Sequence, residues 1–484
     1  MWACIANHCL GTGVLTQSIP PSLSPSSTVL YWSIVSLLLG ACIGSFLNVV
    51  IYRWPRDLSI RRPSRSFCPA CRQAIIWYDN IPVLSYFLLG GRCRGCKTRI
   101  SLQYPLVELA TAFVFLLVYD AFFISRQRLG ISELANDWPM LLGHWALFAG
   151  LIALAVMDLE AYMVDIRVTW LITAAGALAH LFWTPASSTD WLRPGMPLAG
   201  WSAAVVVGLL VGAWLFLREP ITSETAVLSD EPVPPEEKLT GSPGPLAWLG
   251  LLMAVGLAAA YVVALTIAGS PDAPAGAPLV SPGYAETARL VGGLAFLFVA
   301  LAILASHPQP AADAEIIEEI TEGASGARRN ALAEMKLLSP AIILGAAWLL
   351  LIHYVPMVKA CFDSAMHWQP LGDWQPLCGL STAIAGWVIG GLIGWATRII
   401  FTLLFGKEAL GMGDVHILAA AGAVASWPVS FLGFFLAAPL TLLAMIVIHL
   451  RRQSRALPFG PWLGLGFLLA AVFADRILVY LNLR

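Results

Sequence analysis

Two groups of residues in the chain have the types and spacing of ligating or reactive side chains. The first is Cys68-x2-Cys71 followed by Cys93-x2-Cys96. Two such knuckles, roughly twenty residues apart, bring four thiolates into the tetrahedral arrangement that a structural Zn2+ prefers. One Cys-x2-Cys pair alone suits a redox site or a disulfide equally well; the duplication favours metal. The second group is a set of aspartates. Asp158 closes the apolar run of "LIALAVMDLEAYMVDIRVTW", and Asp414 stands behind Gly411 and Gly413 in "ALGMGDVHILAAAGA". A carboxylate within a membrane span costs about 2.5–3.5 kcal/mol on insertion scales, so its presence asks for a reason. Two carboxylates brought together at low dielectric do not both ionise: one keeps a proton while the other acts as base. Such a dyad activates a water against a peptide carbonyl and protonates the leaving amine. Asp165 follows about two helical turns after Asp158, which lets both lie on one helical face. Asp414 is placed like a helix N-cap, and its glycines permit a sharp turn or a close backbone approach. Alone, either aspartate reads more simply as an interfacial or capping carboxylate. The pairing, the glycines and the cysteines together favour the dyad.

The elements that must position these groups are membrane helices. Of 484 residues, 58% are hydrophobic and 12% charged, the composition of an all-α polytopic membrane protein in contact with a lipid bilayer. A net charge of −1 leaves no basic surface for nucleic acid. Apolar stretches able to cross a core of about 30 Å lie near 29–51, 106–124, 140–157, 166–184, 198–217, 246–268, 287–305, 338–356, 380–405, 411–426, 429–449 and 462–481, about twelve spans. The loop after the first span carries Arg53, Arg56, Arg61, Arg62, Arg65, Arg72, Arg92, Arg94, Lys97 and Arg99 against Asp57 and Asp79. By the positive-inside rule that loop faces the cytoplasm, and alternation from it puts Asp158 and Asp414 on the same side. Residues 1–28 contain no Lys or Arg, lack the basic start of a signal peptide, and read as a flexible extracytoplasmic tail. Between Asp165 and Asp414, residues 186–378 carry four expected spans and two acidic loops but show no ligand cluster and no intramembrane charge pair. Trp183, Trp191 and Trp201 near span ends fit an interfacial belt. Cys361 and Cys378 share an expected outside loop and are able to pair, although connectivity is unreadable from sequence.

These residues resemble the bacterial type IV prepilin peptidases, bifunctional leader peptidase and N-methyltransferase enzymes of the GxGD aspartic protease group. The matching pieces occur in the family's order: "GACIGSFLNVVIYRWP", the two knuckles with "NIPVLSY" between them, "SLQYPLVEL", "MDLEAYMVD", "GMGDVHILAAAGA" and "FGPWL". The resemblance implies that Asp158 and Asp414 are the catalytic aspartates and that Gly411 and Gly413 shape the substrate site. It implies as substrate the basic leader of a type IV prepilin or pseudopilin, cut on the cytoplasmic side of the inner membrane, with service to pilus assembly or type II secretion. Methylation of the new N-terminus from S-adenosylmethionine is carried by the resemblance alone, since no cofactor fingerprint is present. The organisation it implies is a tail (1–28), a first helix (29–51), a cytoplasmic Cys4 zinc loop (52–105), the first part of the peptidase membrane domain (106–185), an inserted four-helix segment (186–378) and the second part with the GxGD motif (379–484). Glu108 is a contributor to methylation or a partner for one of the loop's basic residues. The chain departs from many relatives in reading Val164 before Asp165 where they have proline, and in His416 where a lysine is common. A histidine there titrates near pH 6.5, so the pH optimum is expected to differ. The competing readings are a catalytically altered relative acting as a membrane binding or assembly protein, an ion-coupled transporter, and an archaeal-type preflagellin peptidase.

Overall fold

A backbone in hydrocarbon has to satisfy its own N–H and C=O groups, and the apolar runs accordingly fold as helices. The computed structural model describes residues 25–62, 66–68, 70–128, 130–131, 133–183, 196–216, 284–305, 326–358, 360, 375–450 and 458–481. In chain order the helices are α1 (Pro25–Arg53), α2 (Leu84–Leu88), α3 (Gln103–Tyr119), α4 (Leu134–Ala161), α5 (Ile166–Phe182), α6 (Met196–Phe216), α7 (Tyr284–Ala305), α8 (Ala327–Tyr354), α9 (Gln375–Phe405), α10 (Met412–Ala425), α11 (Trp427–Leu450) and α12 (Gly460–Tyr480). Among the described residues there is no strand, only two isolated bridges in the cysteine loop. Eight helices are long and apolar enough to cross a membrane, and three shorter apolar helices accompany them. Together they account for every expected span except 246–268, which lies outside the described residues. The chain is an all-α multi-pass membrane protein.

The short helix α10 is the centre of the arrangement. Its 14 residues rise roughly 21 Å at 1.5 Å each, less than the hydrocarbon thickness, so protein and not lipid surrounds it. Residues 417 to 425 are all buried, and α4, α5, α9, α11 and α12 pack around the helix. Small residues make this possible. Gly386, Gly390 and Gly394 form a four-residue stripe along α9, and a methyl group on Gly386 or Gly390 would run into the carbonyl oxygen of Gly422 or Leu418. Backbones that approach this closely gain dispersion contacts along the whole seam.

Helices α6 and α8 pair with each other and rest on α9, whereas α7 lies against α3 and α12. An ion pair anchors α7. The Arg289 guanidinium donates to both Asp120 oxygens, at 2.8 and 2.9 Å, and to the Ser125 hydroxyl at 2.8 Å. Both charged side chains are buried. This corrects the expectation that residues 186–378 hold no intramembrane charge pair: the acid stands 169 residues away, in the π-helical turn that ends α3.

Other departures are local. Residues 25–28, read as the end of a tail, already belong to α1, and the rest of that tail lies outside the described residues. The stretch from Ala327, read as part of an acidic loop, forms the first turns of α8. Trp183 is buried and donates its indole N–H to Asp137 at 2.7 Å, a specific role in place of a place in an interfacial belt. Cys378 stands in α9 and not in a loop, and Cys361 lies outside the described residues.

Candidate active site and cysteine cluster

The cysteine loop is two copies of one turn. Cys68 N–H donates to the Gln73 carbonyl and Cys93 N–H to the Thr98 carbonyl; Arg72 N–H returns to Cys68, and Lys97 N–H to Cys93. Arg72 and Lys97 share a left-handed backbone, with φ of 58° and 61°, and the bridges Phe67 to Ala74 and Arg92 to Arg99 occupy equivalent places. The two turns bring all four sulfurs within 4.8 Å of one another. Cys68 and Cys96 Sγ are 3.8 Å apart, the spacing of about 3.8 Å that tetrahedral Zn–S bonds of about 2.3 Å require. Burial pushes the Cys68 thiol up to about 11, whereas hydrogen bonds from Thr98 pull Cys96 down to about 6. A cation supplies what such a mixed set lacks, since coordination deprotonates every thiol it reaches. Arg94 grips Asp79 through two bonds of 2.6 and 2.7 Å and closes the loop between the knuckles. The loop is tied to the bundle by Glu108 on α3, whose carboxylate accepts the Val83 N–H at 2.6 Å and faces the Ser45 hydroxyl. Val83 has φ of 61°, an uncommon conformation for a β-branched residue, and the Glu108 carboxylate holds it there. Among the described residues Glu108 thus meets a backbone amide and a hydroxyl, not the basic partner considered from sequence.

Asp158 occupies the last turn of α4. The helix stops at Ala161 because Tyr162 turns left-handed, φ 50°, and returns its N–H to the Asp158 carbonyl at 3.0 Å. The break corrects the expectation that Asp158 and Asp165 share a helical face. Asp165 lies beyond it as the N-cap of α5, accepting the Arg167 N–H at 2.8 Å and pairing with the Arg167 guanidinium. Among the described residues Asp158 has no cationic partner; its Oδ2 accepts the Gly460 N–H at 3.1 Å. Gly460 opens α12, with Pro461 in the same first turn. A Cβ on Gly460 would stand 2.6 Å from Asp158 Oδ2, so the hydrogen bond exists because this residue has no side chain.

Asp414 is the third residue of α10, and Gly411 is the N-cap, which corrects the placing of Asp414 itself as the cap. From the third position a carboxylate faces the N-cap: the Asp414 N–H donates to the Gly411 carbonyl at 3.2 Å, and a Cβ on Gly411 would stand 3.4 Å from Asp414 Oδ2. The positive end of α10 adds to its stabilisation. Gly413 sits against Val164, where a Cβ would come 2.5 Å from the valine side chain. The turn between α4 and α5 can therefore press directly on the start of α10. Asp158 and Asp414 are both 8% exposed and close enough for their charges to interact. Ile417, one turn after Asp414, would contact a Cβ on Gly460 at 3.7 Å, which places α4, α10 and α12 around one point. His416 is half-buried on α10.

Two features escaped the sequence reading. Gly460 lies in a motif that was noticed, and the Gly-Pro pair signals a helix start, but its contact with Asp158 is purely tertiary. A cleft of 240 Å3, lined by Pro55, Arg56, Met157, Glu160, Ala161 and Met163, opens between the end of α4 and the root of the cysteine loop. Two enclosed carboxylates, one of them hydrogen-bonded by a backbone amide, are able to hold and activate a water.

Residues 38–122 match the family model of the Bacterial Peptidase A24 N-terminal domain. The chain is 42% identical over 139 residues to the prepilin leader peptidase/N-methyltransferase of Myxococcus xanthus (strain DK1622), a match covering 28% of this chain and 37% of that protein. With the Klebsiella pneumoniae protein of the same name it shares 34% over 189 residues, 37% of this chain and 77% of the relative. With that of Aeromonas hydrophila it shares 34% over 211 residues, 38% and 67% of the two chains. The chain spans less than half the length of the first curated relatives it matches. No solved structure matches it. Given an identity of one residue in three across most of the Klebsiella relative, the chain belongs to the prepilin leader peptidase/N-methyltransferase family.

Proposed function

We propose that the protein is a membrane aspartic endopeptidase that removes the basic leader of type IV prepilins or pseudopilins and methylates the new N-terminus. The observation that carries this reading is the pair of buried carboxylates, Asp158 and Asp414, drawn together from helices α4 and α10. In the proposed reaction one of them, ionised, takes a proton from a water as its oxygen attacks the scissile carbonyl. The other, protonated, gives its proton to the departing amide nitrogen, so the pair ends with its protons exchanged and none gained or lost. The Gly460 N–H fixes the Asp158 carboxylate, while that of Asp414 stands in the first turn of α10, at the positive end of the helix. Gly411 and Gly413 shape the backbone that receives the substrate.

Cys68, Cys71, Cys93 and Cys96 would hold a Zn2+ that cross-links a loop too short to build an apolar core of its own. S-adenosylmethionine would supply the methyl group. The described residues include no nucleotide-binding sheet for its adenosine, and methylation is proposed from the family relationship. The Arg-rich loop argues for an inner-membrane protein whose aspartates face the cytoplasm. Mass spectrometry of a prepilin incubated with membranes containing the protein, with and without S-adenosylmethionine, tests both activities. Leader loss followed by a mass gain of one methyl group is expected. Binding of the prepilin without cleavage would instead make the chain a binding or assembly protein.

A further inference from the structure

We propose that helix α8, from the long segment between the two aspartates, is a clamp that positions the turn carrying Asp414, with Glu334 and Arg398 as positioning residues. The inference rests on the reading of Asp414 as catalytic. Arg398 stands near the end of α9. The Nε/Nη2 edge of the guanidinium lies against Glu334 of α8, with contacts of 3.1 and 3.2 Å from Nε and 2.9 Å from Nη2. The remaining nitrogen, Nη1, donates to Glu408 and to the carbonyl of Leu410. Leu410 immediately precedes Gly411, the N-cap of α10, and the Asp414 N–H donates to the carbonyl of that same Gly411 at 3.2 Å. One guanidinium thus connects α8 to the residue before the cap on which Asp414 depends.

A second contact reinforces the first. Arg328, in the first turn of α8, donates to the carbonyls of Leu403 and Leu404 at 3.1 and 3.4 Å, two of the orphan acceptors at the C-terminus of α9. Gly406, φ 71°, ends α9, and a Cβ there would meet the Arg328 guanidinium at 3.4 Å. From this point to Leu410 the chain is held by Ala409 N–H on the Thr402 hydroxyl, at 3.2 Å, and by Arg398. The side chains of Arg398 and Glu334 are 13% and 19% exposed, against 58% for Glu408. Exposed pairs contribute little, so the orientation of Arg398 is set chiefly by Glu334. A bidentate arginine–carboxylate contact fixes a plane as well as a distance, and that plane determines where Nη1 meets Leu410. Without Glu334, Arg398 is free to follow Glu408 toward solvent, and the Leu410 carbonyl loses its donor.

The test uses the full chain in membranes. Glu334→Gln removes the charge at nearly constant volume, and Glu334→Asp restores it one methylene short. In each background, prepilin cleavage gives kcat and KM, and maleimide labelling of Met412→Cys, resolved by peptide mass spectrometry, reports the exposure of the turn independently of activity. For a reacting group displaced by a fraction of an ångström, Glu334→Gln is expected to lower kcat about tenfold with KM little changed. Position 412 is expected to label about threefold faster, as a loosened turn opens more often. Glu334→Asp should return both values most of the way to wild type. Wild-type kcat and wild-type labelling in Glu334→Gln would overturn the clamp, as would a change in only one of the two. If the wild type cleaves no prepilin, the proposed function fails, whereas the labelling rates still decide whether α8 holds the turn.

Discussion

The cysteine cluster and the aspartate pair are built in opposite ways. The cysteines are gathered by two local turns that repeat the same hydrogen bonds and the same left-handed residue, Arg72 and Lys97. A ligand that binds four thiolates can hold such a unit with few long-range contacts. The aspartates come from α4 and α10, and Gly460, whose N–H Asp158 accepts, comes from α12, 302 residues beyond Asp158. Nothing local brings them together. Their position depends on the small-residue seam of α9 and α10, on the break at Tyr162 and on remote packing. The first region should accordingly fail through its ligand, and the second through distant changes in the helices.

The largest expected effect lies far from both sites. Arg289→Met leaves Asp120 buried without its arginine, and breaking a buried pair costs about 3–5 kcal/mol. Thermal unfolding in detergent should show the loss, and Asp120→Leu combined with Arg289→Met should recover much of it. If the single variant unfolds like wild type, α7 does not stabilise the bundle through this contact. Next is Gly460→Ala, whose methyl group would press on Asp158 Oδ2. Displacing a catalytic oxygen by about 1 Å costs about 100-fold in rate, so prepilin cleavage should fall by that order while the melting temperature changes little. Unchanged cleavage would show that Asp158 does not need the Gly460 amide.

Metal removal probes the other side of the contrast. Chelation should accelerate trypsin cleavage among the arginines of residues 53–99 by about tenfold or more, because an apo knuckle has no core to hold it. The transmembrane bundle should keep its melting temperature. Simultaneous collapse of both would mean that the loop is not an independent unit. The smallest effect concerns pH. The Arg94 guanidinium holds the Asp79 carboxyl below its ordinary value. A carboxyl depressed in the folded loop stabilises it above its unfolded value of about 3.9, and that stabilisation is lost as pH falls through the folded value. Hydrogen exchange at residues 77–80 should be slower in wild type than in Asp79→Asn at pH 5, with the difference vanishing toward pH 2. A difference that persists at pH 2 would assign the protection to something other than ionised Asp79.

The same contrast explains what was legible in the sequence. The knuckles could be read because their geometry is encoded in spacing. The helices could be read because apolar length decides them, and α9, α10 and α12 begin within a few residues of where hydropathy puts them. The break after Ala161 was not legible: Tyr162 adopts φ 50° without a glycine or proline to announce it. Asp165 consequently moves off the face of Asp158 and becomes a cap. Asp414 at the third helical position was missed because glycine is a weaker N-cap signal than aspartate. Arg289 and Arg398 carry no local sign of their partners Asp120 and Glu334, which only the packing of helices distant in sequence supplies.

The proposed reaction requires Asp158 and Asp414 to act as a pair. The most direct measurement is the cleavage rate of one prepilin by membranes carrying the wild type, Asp158→Asn, Asp414→Asn or Asp165→Asn, at matched protein levels and with product masses determined. Either member of the pair, changed to asparagine, is expected to abolish leader removal while the protein still binds the prepilin, whereas Asp165→Asn is expected to retain it. Leader removal by Asp158→Asn or Asp414→Asn at a rate near wild type would contradict it.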